Sequence, residues 1–129
     1  MPSRQILSIG QCAADHFRIA QTFKEHFAAN VVGADNDVEA QQILEQGKFD
    51  LILVNRVLDA TGASGLKLVN ALKKAPASQA IPIMLVSNHD EAQTEAVELG
   101  AVRGFGKAAL GQPAMLAAVR QVLEAPLTN

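Results

Sequence analysis

The chain has 129 residues, 49% of them apolar, with a net charge of −2 and one cysteine, Cys12. That length suits a single domain with a proper core, and so weak a charge excludes a nucleic-acid or membrane surface held by bulk electrostatics. No run approaches the roughly 18 apolar residues that span a bilayer, no secretory leader opens the chain, and a lone cysteine fits a reducing, cytoplasmic compartment.

Gln5 to Ile9 reads as the first strand. Ile19, Ala20, Phe23 and Phe27 then recur at helical spacing, with Phe17 on the shoulder of that face. Asn30 to Ala34 is a short second strand. Asn36 and Asp37 cap the helix that follows, Val38, Ile43 and Leu44 form its inward stripe, and Gly47 stops it. Asp50-Leu51-Ile52-Leu53-Val54-Asn55 is an unbroken apolar run with polar ends, the pattern of a central parallel strand covered on both faces. Ser64 caps a helix carrying Leu66, Leu68, Val69 and Leu72, which ends before Pro76.

Pro82 to Ser87 is the fourth strand, again continuously apolar at its centre. Asp90 and Gln93 have the spacing of a capping box, and Gly100 closes that helix. Val102 to Phe105 is the fifth strand. Pro113 opens the last helix, with Met115, Leu116, Val119, Val122 and Leu123 inward. Five strand–helix units with short connections predict an α/β fold, a doubly wound five-stranded parallel sheet with helices on both faces. Residues 1–125 form the expected domain and 126–129 a short tail.

In open sheets of this kind chemistry gathers beyond the carboxyl ends of the strands. An aspartate at position 55 would supply a nucleophile or a metal ligand; Asn55 supplies neither. After the first strand, Gly10-Gln11-Cys12-Ala13-Ala14 has neither the glycine spacing nor the hydroxyls of a phosphate loop. His16, His26 and His89 stand singly, without the spacing of metal ligands. Cys12 precedes the first helix, where a thiol pKa can fall, but no resolving partner marks it for redox work.

Phe49 to Val54, Gly65-Leu66, Ile81 to Ser87 and Gly100-Ala101 followed by Lys107 occur in an order and spacing that resembles a response-regulator receiver domain of the chemotaxis-regulator type. The resemblance covers nearly the whole chain and implies the sheet order 2-1-3-4-5. It also implies two acidic positions after the first strand, here Gly10 and Gln11, and a phosphoacceptor position, here Asn55. The switch positions fall on Ser87 and Lys107, with the fifth-strand aromatic, Phe105, one place late. Ala108 replaces the usual proline, Val57-Leu58-Asp59 replaces the usual Met-Pro, and the loop to Gly65 is longer than the family's.

Phosphoryl transfer to a carboxylate needs a nucleophilic oxygen and a cation such as Mg²⁺, which prefers carboxylate oxygens. Gly10, Gln11 and Asn55 offer none, so no Mg²⁺, other metal or cofactor and no catalysis are expected. The Asn55 amide is expected to bond Lys107 or Ser87. Lys107 loses its salt bridge and, beside Arg56, makes the pocket weakly cationic. Asp15 reads as a cap of the first helix, and Asp59 as the other acid near the rim.

Glu91, Glu95 and Glu98 share a face of the fourth helix, and Ala114, Ala117 and Ala118 flank the stripe of the last. In receivers the fourth helix, fifth strand and fifth helix form the output surface. The leading expectation is therefore a pseudo-receiver that acts by phosphorylation-independent binding to a protein partner: a signalling protein, a kinase, an output domain or a second copy. The alternatives are a phosphorelay receiver with an unconventional acceptor, and a flavodoxin-like protein that binds a small ligand or nucleotide.

Overall fold

The computed structural model describes residues 4–124; Ala125 and the 126–129 tail lie outside them. Five strands alternate with five helices: β1 Arg4–Ile9, α1 Ala13–Phe27, β2 Ala29–Ala34, α2 Asp37–Gln46, β3 Leu51–Asn55, α3 Gly65–Lys74, β4 Ile83–Val86, α4 Asp90–Glu98, β5 Val102–Phe105 and α5 Pro113–Glu124. The strands form one parallel sheet in the order β2-β1-β3-β4-β5. This is the expected doubly wound architecture.

The continuous apolar runs are explained by burial on both faces. Alternate residues of a strand point to opposite sides. Ile52 and Val54 of β3, with Leu7, Ile9, Ile83 and Leu85, pack under Ala40, Leu44, Leu68, Leu72 and Ala96 of α2, α3 and α4. Leu51 and Leu53, with Ile6, Met84 and Val86, pack against Ile19, Phe23 and Phe27 of α1 and Met115 and Val119 of α5. Each fully buried Ile or Leu contributes about 1.5–3 kcal/mol. The two layers therefore hold the sheet, and the sheet holds the strand ends in fixed relation.

The caps at Asn36 and Ser64 form as expected, the side chains accepting from the amides of Glu39 at 2.8 Å and Lys67 at 3.3 Å. Two helix readings are corrected. Val38 lies in the first turn of α2 and is 64% exposed; Ala40 takes the buried place with Leu44. Asp90 and Gln93 form no capping box, because α4 has no side-chain cap and Gln93 is buried.

Gln93 turns inward for a reason visible in β5. Met84 pairs with Val102 and Val86 with Phe105, so β5 carries one residue more than β4 across the same interval. The extra residue is a bulge that leaves backbone groups without ladder partners. Gln93 supplies them: its Nε2 donates to the carbonyls of Leu85 at 2.9 Å and Ser87 at 3.1 Å, and its Oε1 accepts from the amide of Gly104 at 2.8 Å. A Cβ on Gly104 would collide with the backbone of Leu85, so the bulge needs glycine there. The bulge also accounts for the late position of Phe105, which is buried beside Phe23 with ring centroids 6.3 Å apart.

Candidate functional site

β1, β3 and β4 end side by side, with Ile9 beside Val54 and Asn55 beside Val86. Asn55 closes β3 half-buried, and its Nδ2 donates to the Gly10 carbonyl at 2.9 Å, not to Ser87 or Lys107 as the sequence suggested. The Asp59 amide donates to the same oxygen, also at 2.9 Å. Two donors on one carbonyl use both of its lone pairs.

Gly10 itself adopts a left-handed φ of +81°. Above it lies Leu58, only 2% exposed and part of the core beneath α2 and α3. A Cβ on Gly10 would collide with the Leu58 side chain and stand 3.0 Å from its Cα. The loop between β3 and α3 presses Leu58 into this place. Its amide donates to the Ala63 carbonyl at 2.9 Å, its own carbonyl accepts from Gly62 at 2.7 Å, and Val57 bridges Ser64. Hydrocarbon thus occupies the direction in which an acidic side chain at position 10 would project.

Gln11 is 8% exposed, and neither atom of its carboxamide has a partner in the protein. It lines a different cavity, with Ser8, His16, Gly33 and Asp35. The two positions matched to an acidic pair are therefore separated, one capped by Leu58 and the other turned toward β2.

Asn55, Ser87 and Lys107 do meet, on a cavity of about 270 Å³ that also includes Arg56, Asn88 and His89. The Ser87 Oγ accepts from the His89 amide at 3.0 Å. Lys107 keeps an ion pair, contrary to expectation: its Nζ lies 2.7 Å from the Asp15 carboxylate. Asp15 is not the cap of α1; Cys12 holds that place without a side-chain capping bond. The hydrogen bond from Lys107 holds the Asp15 carboxyl below its ordinary value against the opposing effect of burial, with help from Cys12 and the charges of Lys107 and Arg18. The cationic character expected of this cavity is correspondingly reduced, leaving Arg56 as the other basic group on its wall.

A hard divalent cation needs several oxygen ligands, usually including carboxylate charge. The residues at this rim do not fit one: Gly10 has no side chain, Asn55 directs a donor at the nearest carbonyl, and Gln11 faces elsewhere. Asp59 is exposed and contributes its backbone amide to the Gly10 carbonyl. Among the described residues no three His, Cys, Asp or Glu side chains gather closely enough to hold a metal ion.

On the opposite flank, Glu91, Glu95 and Glu98 are exposed as expected, and Val97 and Val102 are 44% and 40% exposed. Ala114 and Ala117 are exposed and Ala118 is half-buried. Arg103 of β5 pairs with Asp90 of α4 across this face. The sequence reading missed Leu58 and Gln93. A faint signal existed for both: Val57-Leu58 is an apolar pair inside a polar loop, and Gln93 falls on the inward face with Ala92 and Ala96.

The family model described as the response regulator receiver domain matches residues 13–124. The signal receiver domain of a DNA-binding response regulator from Colwellia psychrerythraea is 24% identical over 95% of this chain and 99% of its own, with a TM-score of 0.78. A chemotaxis response regulator of Vibrio cholerae is 18% identical, covering 95% and 100% with a TM-score of 0.72. A response regulator from Burkholderia pseudomallei, solved with a phosphorylated aspartic acid, calcium ion and citrate, is 23% identical, covering 98% and 78% at 0.68. At these identities the likeness is one of fold. No curated protein matches the sequence. Among the described residues no helix is long and apolar enough to cross a membrane.

Proposed function

The chain belongs to the response regulator receiver domain family of two-component signalling, and from that premise we propose that it is a pseudo-receiver, acting through protein–protein contact without phosphorylation. One observation carries this reading. Leu58 sits over Gly10 while Asn55 donates to the Gly10 carbonyl, so position 55 offers no nucleophilic carboxylate and position 10 has no space for an acidic ligand. Charge stabilisation of a transferring phosphoryl group would have to come from elsewhere, and Lys107 is already committed to Asp15.

A receiver without a chemical input is held in one state, or is shifted only by a partner with different affinities for its states. The Gln93 bridge and the buried Phe105 favour the first case here, since both tie β5 to its neighbours. The working surface is then α4, β5 and α5, with Glu91, Glu95, Glu98 and Ala118, offered to a signalling protein, kinase, output domain or second copy.

Acetyl phosphate with Mg²⁺, followed by intact mass and amide NMR, tests the proposal. The expected result is an unchanged mass and no saturable shifts at the three rim loops. Stable incorporation of phosphate would return the chain to the class of relay receivers with an unconventional acceptor. Asn55→Asp alone is not expected to restore efficient phosphorylation, because it returns a nucleophile without a metal site and leaves Leu58 over Gly10.

A further inference from the structure

We infer that the cleft between β1, β2 and the start of α1 is a binding site for a small planar molecule with an amide-type edge, a hydrogen-bond donor beside an acceptor. The cleft has a volume of about 420 Å³ and is walled by Ser8, Gln11, His16 and Asp35, with Ala13, Gly33 and Ala34 between them. That size lies within the ordinary range for small-ligand sites, about 300–1,000 Å³. It lies apart from the Asn55–Lys107 cavity and shares no lining residue with it.

Three polar atoms distinguish it. Both ends of the Gln11 carboxamide and the Ser8 hydroxyl are shielded from solvent and have no hydrogen-bond partner in the protein. Gln11 is 8% exposed and Ser8 1%. Buried polar groups in native proteins are nearly always paired, because leaving them unpaired costs about 1–3 kcal/mol each. The terminal torsion of a glutamine is broad, so a small rotation brings either end of the amide to a ligand. A carboxamide offers a donor and an acceptor side by side, and its best complement is the same pair reversed.

The walls narrow the class further. No Lys or Arg lines the cleft, and Asp35 is its carboxylate. Anions are disfavoured, while amino-bearing neutral molecules find an additional acceptor. Small residues on the floor, with the His16 ring packed against Gly33, leave a slot suited to a flat group. The ligand class is therefore primary carboxamides and amino-substituted nitrogen heterocycles of nucleobase size.

The test is an NMR titration of the whole chain with nicotinamide, cytosine and adenine, with benzoate as a planar anionic control. Saturable shifts are expected at the Gln11 side-chain amide and at Ala13, Gly33 and Asp35 for at least one of the three, with none for benzoate. Gln11→Leu, similar in size, is expected to weaken that binding at least about tenfold, since it removes both the donor and the acceptor offered to the ligand. Ser8→Ala gives a second, milder variant with a smaller loss should the first fail to fold. The inference is overturned if none of the three shifts these residues, which would mean that the cleft holds water alone. An equal response to benzoate, or unchanged affinity in both variants, overturns it as well.

Discussion

The two sides of the rim differ in how they treat polar groups. On the β1–β3 side the space above Gly10 is filled by Leu58, and the side chain that closes β3, Asn55, is spent on a backbone carbonyl. On the β4–β5 side Ser87, Gln93 and Lys107 all have partners. The first side is closed by shape as well as short of carboxylate charge at positions 10 and 55. The second holds its polar side chains in pairs across elements: Lys107 meets Asp15 on α1, and the bulge in β5 is bridged by Gln93 from α4. Shape is harder to restore than charge, so the β1–β3 side sets the limit on chemistry while the β4–β5 side sets the limit on motion.

The largest expected effect tests the second half of that contrast. Gln93→Leu strands two carbonyls and one amide, two of the three bonds being fully buried, and is expected to cost about 3 kcal/mol or more. Chemical denaturation measures the loss, and hydrogen exchange should place it in β5. A change below about 1 kcal/mol would mean that the bulge is held by the sheet itself.

Leu58→Ala probes the other side. A cost of about 2–3 kcal/mol is expected for a side chain so fully buried. Gly10→Asp is expected to be destabilising alone and less so combined with Leu58→Ala, a coupling that a double-mutant cycle reads directly. Additive effects would show that Leu58 does not block position 10. Neither single variant is expected to bind Mg²⁺.

The Asp15–Lys107 pair is worth less, about 1 kcal/mol, because both side chains are partly open to solvent. Its pH dependence has a definite sign. Asp15 has a folded-state pKa below its ordinary value of 3.8, so its contribution is complete above that value and is lost as pH falls through the lower, folded one. Asp15→Asn should therefore run below the parent by a constant amount from about pH 5 upward and converge with it in acid. A gap that widened between pH 6 and 8 would point to a group other than this carboxylate.

The smallest effect on stability, within about 0.5 kcal/mol, is expected for Glu95→Lys combined with Ala118→Leu. The same double variant should weaken partner binding or self-association in pull-down or sedimentation, while changes at Lys24 and Lys48 should not. The reverse result would move the working surface away from α4, β5 and α5.

The strands were the most legible part of this protein. Leu51 to Val54 and Ile83 to Val86 announce themselves as doubly covered strands because every residue must be apolar when helices lie on both faces. Asn36 and Ser64 were legible because a cap acts within three residues of itself. Asp90 and Gln93 match the same local template but serve a distant strand, and local spacing does not distinguish a side chain that bonds its own helix from one that bonds β5. Asp15 and Lys107 lie at opposite ends of the chain, so only the assembled sheet brings them together. The sequence shows no carboxylate at Gly10, Gln11 or Asn55. Only the three-dimensional structure could reveal that a leucine stands above one of those positions.

The placement of Leu58 has a consequence for how this chain can change. A carboxylate introduced at position 10 meets both a leucine and a left-handed backbone, and one introduced at position 55 exchanges the donor facing the Gly10 carbonyl for an acceptor. Each step is unfavourable when taken first. Shrinking position 58 removes the side-chain clash of the first and leaves its backbone strain, and the reward of a bound cation comes only when the set is complete. The mutational path toward an acidic rim is thus ordered and uphill, whereas substitutions over the exposed α4–β5–α5 face are nearly level. Selection acting on this chain would find new partners more easily than it would find the phosphoryl group.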